Sequence, residues 1–182
     1  WIVNSSLSYT GIWVTSANVT KNSITNIGSS QSSATPVIYG LFHSGVSGVT
    51  NEFSNNMVSL DGGAALNPVL YGYYDNAPAG GISMVYYNSI QIYGLATVSS
   101  STYSFYRNSS ASHTLRNNIF SNIRTAGGSG KHYSIYCSAT GGLNSDYNDL
   151  YSLAGPLGYY NAATRPALSD WQSATGGDAV SV

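Results

Sequence analysis

The chain has 182 residues, a formal net charge of −1 and only 7% charged residues against 42% apolar, with 16 tyrosines. That is long enough for one domain with a sizeable core. The composition excludes disorder by charge excess, and six scattered Lys and Arg exclude the basic footprint of a DNA or RNA binder. Apolar residues come in short alternating bursts, never as a run that could span a membrane, so membrane insertion is not expected.

The first landmark is a tyrosine signature. Tyr39-Gly40-Leu41-Phe42, Tyr71-Gly72-Tyr73-Tyr74, Tyr103-Ser104-Phe105-Tyr106 and Tyr133-Ser134-Ile135-Tyr136 start 32, 32 and 30 residues apart, with Leu157-Gly158-Tyr159-Tyr160 as a degenerate fifth copy. Gly11-Ile12-Trp13 marks a partial rung before them. Periods of this size belong to stacked architectures, in which each repeat buries its apolar face only against a neighbour. Trp1 falls in mid-pattern, which reads as an internal or C-terminal piece of a longer processed chain.

The second landmark is Asn22, Asn55, Asn88, Asn117 and Asn148, at spacings of 33, 33, 29 and 31. Asn tolerates the left-handed backbone of a tight bend, and amides stacked at the strand separation can form a ladder. Short β-branched and aromatic runs between the landmarks read as strands, and the spacers 28–35, 61–67, 95–101 and 125–130, rich in Gly, Ser and Ala, as surface loops. The expected fold is all-β: a parallel β-helix of about five to six coils of about 30 residues each, spanning 1–162.

Strand parity assigns faces. It puts Leu41, Tyr73, Phe105, Ile135 and Tyr159 inside, together with Tyr39, Tyr71, Tyr103 and Tyr133 two residues earlier. A second inner column is Ile24, Met57, Ile90, Ile119 and Leu150. Outside would lie the small residue (Gly40, Gly72, Ser104, Ser134, Gly158) and Phe42, Tyr74, Tyr106, Tyr136 and Tyr160. Cys137, the only cysteine, sits in a strand and reads as a buried, inert thiol.

Residues 163–182 depart from the repeat. Thr164 as cap, Pro166 in the first turn, Leu168 and Trp171 one turn apart and Gly176-Gly177 as a stop predict one short helix on the flank of the last coils. Asp178–Val182 would then resume a strand lacking its partner.

The rungs, above all Gly130–Tyr136, Ser145–Tyr151 and Leu168–Gly176, resemble the right-handed parallel β-helix repeats of large secreted surface proteins from Bacteroidota. The resemblance implies a pectate-lyase-like solenoid, an extracellular or cell-surface location, often by the type IX export route, and adhesive or matrix roles.

Polysaccharide lyases and hydrolases of such folds need converging carboxylates. Asp146 and Asp149 are the best pair, with Asp61 and Asp75 in other loops; all read first as turn residues bonding local backbone. Arg116, Arg124 and Lys131 lack the acidic cluster of a calcium-dependent lyase, and His43, His113 and His132 lack metal-ligand spacing. No catalytic residue, metal or cofactor is assigned. The sequence points to a non-enzymatic structural or adhesive segment, within an extracellular filament or a longer surface protein. Its partners would be further coils of the same longer chain, neighbouring copies, or polysaccharide. The alternative is a carbohydrate-binding module using Phe42, Tyr74, Tyr106, Tyr136 and Tyr160 as an aromatic ladder; a lyase or hydrolase ranks below it. With no cap recognised at either end, the segment is expected to need end-to-end stacking.

Overall fold

The structure is a computed structural model that describes residues 8–25, 27, 36–61, 68–96, 99–125 and 128–182. Residues Trp1 and Ile2, and much of the four expected spacers, lie outside that set. Each coil makes three strands. The first has β1 (Ser8–Val14), β2 (Val19–Thr20) and β3 (Ser23–Thr25); the second β4 (Val37–His43), β5 (Thr50–Ser54) and β6 (Met57–Leu60). The third has β7 (Val69–Asp75), β8 (Ile82–Tyr86) and β9 (Ser89–Ile92); the fourth β10 (Thr102–Arg107), β11 (Ser112–Arg116) and β12 (Ile119–Asn122). The fifth has β13 (His132–Cys137), β14 (Leu143–Asp146) and β15 (Asp149–Ser152), before β16 (Gly158–Tyr160), β17 (Ala163–Arg165) and α1 (Leu168–Thr175). Equivalent strands pair in parallel into three sheets, ordered β1-β4-β7-β10-β13-β16-β17, β2-β5-β8-β11-β14 and β3-β6-β9-β12-β15. The parallel β-helix is therefore present. Five strands in each of the second and third sheets span four full turns, slightly fewer than expected.

The core is built from columns contributed by successive coils. The first sheet gives Leu41, Tyr73, Phe105 and Ile135, the second Phe53, Val85 and Leu115, the third Val58, Ile90 and Phe120, each at most 1% exposed. Two sequence expectations fail here by one residue. Tyr39, Tyr71, Tyr103 and Tyr133 were expected inside, but Ile38 and Leu41 both point in and the tyrosines point out with Phe42 and its equivalents. Parity breaks at position 40 of the rung. Gly40, Gly72, Ser104 and Ser134 are skipped in the strand pairing with no residue gained on either strand, and all four are buried: a kink shared by every coil turns both this residue and the next inward. A Cβ on Gly40 would meet the Val58 side chain and lie 2.6 Å from the Gly72 carbonyl. Where the column carries serine, the hydroxyl instead donates to the third sheet: Ser104 to the Ser121 carbonyl at 2.8 Å and Ser134 to the Phe120 carbonyl at 2.7 Å.

The second failure is the asparagine register. The ladder runs Asn22, Asn56, Asn88, Asn118, Asn148, with side-chain amides donating from coil to coil at 2.9–3.0 Å. Asn55 and Asn117 are not in it. They occupy the bend position just before, with Lys21, Tyr87 and Tyr147, all at φ of 55–59°. Each ladder carbonyl also takes the backbone N–H of the preceding coil's Asn, as Asn118 Oδ1 does from Asn88 at 3.0 Å. The buried ladder thus holds a left-handed bend that costs about 1–2 kcal/mol for a residue with a Cβ. Correspondingly, Val58 and Phe120 fill the inner column, while Met57 and Ile119 are 54% and 45% exposed.

The C-terminal end is closed. β16 pairs with β13 in parallel and with β17 antiparallel, so Thr164 lies in a strand instead of capping a helix. The helix starts later, where Asp170 accepts the Ala167 N–H at 3.0 Å, and stops at Gly176 in the left-handed region. In the last rung Gly158 stands opposite Ile135, and the buried Trp171 ring fills the space a core side chain would take: a Cβ on Gly158 would lie 2.6 Å from its Cε3. Asp178–Val182 forms a turn where a strand was expected, and it does have a partner. Val182 exchanges backbone hydrogen bonds with Asn148 and Leu150, and the Asp178 N–H donates to the Ser145 carbonyl. The ladder ends on this segment: the Asn148 N–H donates to Ser181 Oγ at 2.8 Å and its amide to Asp178 Oδ1 at 3.1 Å. Asp178 Oδ2 accepts the Trp171 indole N–H at 2.7 Å, tying helix, tail and last coil together.

Candidate functional site

Because parity breaks at position 40, the first sheet presents two aromatic columns outward. One is Tyr39, Tyr71, Tyr103 and Tyr133, with centroids 5.0–5.7 Å apart and planes within 11° of parallel. The other is Phe42, Tyr74, Tyr106, Tyr136 and Tyr159, with centroids 4.3–5.1 Å apart and planes within 16°, and Trp13 tilted on Phe42 at 4.8 Å. Between columns the rings meet edge to face at 4.8–5.2 Å. Each such pair contributes about 0.5–1.5 kcal/mol beyond its area, so the face is a rigid slab.

Four of the expected ladder residues, Phe42, Tyr74, Tyr106 and Tyr136, lie in this slab. Tyr160 does not: the last rung is offset by one, so Tyr159, expected inside, stands in the outer column opposite Tyr136, and Tyr160, expected outside, packs against the core with its ring edge-on to Trp171 at 5.9 Å. Tyr39, Tyr71 and Tyr103 of the first column were missed as half-buried surface residues, while Tyr133, at 5% exposure, is buried although it stacks on Tyr103. The available signal was the Gly or Ser between two large residues, a side chain small enough to turn inward beside a core residue.

Inside the slab each ring face is covered by the ring of the next coil, and a spacing near 5 Å leaves no slot for a sugar between them. What faces solvent is a field of ring edges and phenol hydroxyls, which are hydrogen-bond donors and electropositive edges. Burial, then the neighbouring phenols, push Tyr106 and Tyr133 up to about 12 and Tyr71 higher still.

The acid–base side chains form a different constellation, inside the solenoid. Asp75, at the end of β7, lies 2.8 Å from His43 Nδ1 and 3.0 Å from His113 Nε2, and accepts from Tyr73, Ser83 and the Ala77 N–H. Arg107 donates from Nε to His113 at 3.1 Å and caps the Ala111, Ala139 and Gly141 carbonyls. Burial raises the Asp75 carboxyl, but His113 and His43 outweigh it and hold it well below the ordinary carboxylate range. All four charged or titratable members are at most 2% exposed, so this network seals a corner of the coil and offers no surface to a substrate. Nor does the expected carboxylate pair converge on anything: Asp146 accepts the Val180 and Tyr147 N–H groups and pairs with Arg116 at 3.4 Å, while Asp149 sits beside Ile119 on the third sheet. Among the described residues no group of three His, Cys, Asp or Glu could hold a metal ion, and no helix is long and apolar enough to cross a membrane. Cys137 is buried, its thiol pushed up to about 12 mainly by burial.

Compared with known proteins, the chain matches no family model, no curated protein and no solved structure.

Proposed function

We propose that this chain is a non-enzymatic, adhesive structural segment of a secreted or cell-surface protein, a stiff solenoid that exposes one aromatic face. The observation that carries this reading is the contrast between two constellations. The acid–base groups able to do chemistry are sealed in the interior, whereas the interlocked phenols run unbroken along the outside of the first sheet. The resemblance of the rungs to right-handed, pectate-lyase-like surface proteins of Bacteroidota supports the extracellular setting and a place within longer assemblies. The helix and tail that cover the last coil argue against stacking of copies directly on that coil.

A carbohydrate ligand is the second reading, favoured by the rows of phenol hydroxyls. Such a ligand would lie across ring edges and hydrogen-bond to the hydroxyls instead of stacking on ring faces. The test is co-sedimentation with insoluble polysaccharides alongside product analysis. Adhesion without new reducing or unsaturated ends, weakened by Tyr74→Phe and Tyr106→Phe, is the expected result. Polysaccharide cleavage that is lost in Asp146→Asn would overturn the non-enzymatic reading.

A further inference from the structure

We propose that the outer aromatic slab is a site of oxidative modification, in which one-electron oxidation of stacked tyrosines joins adjacent coils through dityrosine. The proposal is independent of what the face adheres to. It starts from the spacing: Tyr71 and Tyr103 are 5.0 Å apart and Tyr74 and Tyr106 5.1 Å, in different coils, with planes within 10°. Their edge-to-face contacts at 4.9 and 4.8 Å link both columns into one contiguous set of phenols, so an oxidising equivalent entering at any ring has neighbours to move to. The thiol of Cys137 is fully buried and makes no contact with a soluble oxidant.

The chemistry balances with a haem peroxidase and hydrogen peroxide as oxidant. Each of two tyrosines gives one electron to the enzyme and one proton to solvent, forming a phenoxyl radical. The radicals couple through ring carbons ortho to oxygen, and each ring returns to its aromatic phenol by moving the ortho hydrogen to oxygen. One peroxide O–O bond breaks and takes up two electrons and two protons, giving two waters. The chain loses two hydrogens per link.

The chain contains its own control. Tyr87, Tyr147 and Tyr151 are 60%, 53% and 47% exposed, more open than any slab tyrosine, but they lie outside the stacked columns. The whole chain at low concentration is treated with a haem peroxidase and peroxide, and in parallel with a small one-electron photo-oxidant. The monomeric product is then mapped by proteolysis and mass spectrometry. Intramolecular links between slab tyrosines of adjacent coils are expected, with dityrosine fluorescence more than halved in the Tyr71→Phe/Tyr103→Phe variant and unchanged in Tyr87→Phe. These conservative changes keep the rings and the fold, which circular dichroism checks. Links distributed according to exposure, links only between molecules, or no dityrosine with either oxidant would each overturn the proposal.

Discussion

Replacing Asn118 by alanine tests the ladder at its most connected point. The Asn118 side chain donates to the Val85 carbonyl at 2.8 Å and to Asn148 Oδ1 at 3.0 Å, and accepts the Asn88 N–H and the Asn88 amide, both at 3.0 Å. Alanine removes all four bonds and leaves the Asn88 N–H buried without that acceptor. An orphaned buried donor costs about 1–3 kcal/mol and the other three bonds about 1 kcal/mol each, so the variant should lose about 4–6 kcal/mol. That is a large share of the stability of a domain, about 5–15 kcal/mol. The neighbouring change Asn117→Gly, at an exposed position with φ of 55°, should be close to neutral, because glycine accepts that backbone freely. Urea unfolding of the three proteins, read as a shift of midpoint at constant slope, makes the comparison. If Asn117→Gly costs as much as Asn118→Ala, the assigned register is wrong.

Gly72→Ala should cost about 1–3 kcal/mol by overpacking, since its Cβ would meet the Ile90 side chain and lie 2.6 Å from the Ser104 carbonyl; Ser104→Gly, losing one hydroxyl bond, should cost less in the same titration. Trp171→Ala should cost about 3–5 kcal/mol and uncover the last coil, so that light scattering detects more association than in the parent; a variant of parental stability and parental association would refute the capping role. Burial, then Arg124, holds the His132 imidazole down to about 4. The unfolded chain therefore binds the extra proton first, and stability should fall by about 3 kcal/mol as pH drops from about 6.5 to 4. His132→Gln should flatten that window. The depressed Asp75 carboxyl acts lower, its contribution being lost as pH falls below the unfolded value of about 4, so the steep acid limb should persist in His132→Gln.

Period and strand content were legible because they rest on repeated residues: tyrosine and asparagine mark each coil wherever the spacers vary. Register was not, and the reason is local. In two coils the bend and ladder positions are both Asn, at Asn55-Asn56 and Asn117-Asn118, and the bend position accepts Lys21, Tyr87 and Tyr147 equally, so composition cannot tell bend from ladder. Met57 and Ile119 are as apolar as Val58 and Phe120, which removes the hydrophobic check. The kink at Gly40, shared by every coil, is invisible to a strict period of two and turns the tyrosine column inside out. The interior network of Asp75, His43, His113 and Arg107 was equally hidden, since its members meet only when coils a repeat apart are stacked. The cap escaped because Gly158 leaves its core place to a tryptophan 13 residues later.

The ladder bonds join residues 30–34 apart in the sequence, so the offset changes little from coil to coil. Each added coil therefore closes a loop of nearly the same length and meets nearly the same entropic cost of closure, so assembly proceeds as a zipper whose steps do not slow as the rod grows. A zipper closed at one end frays from the other. Hydrogen exchange should run along the axis as a gradient, fastest in β1–β3, where described neighbours lie on one side only, and slowest beside Trp171 and Asp178. A pull applied along the rod would then be resisted as a series of nearly equal events, giving a sawtooth of coil-sized steps in place of one cooperative rupture.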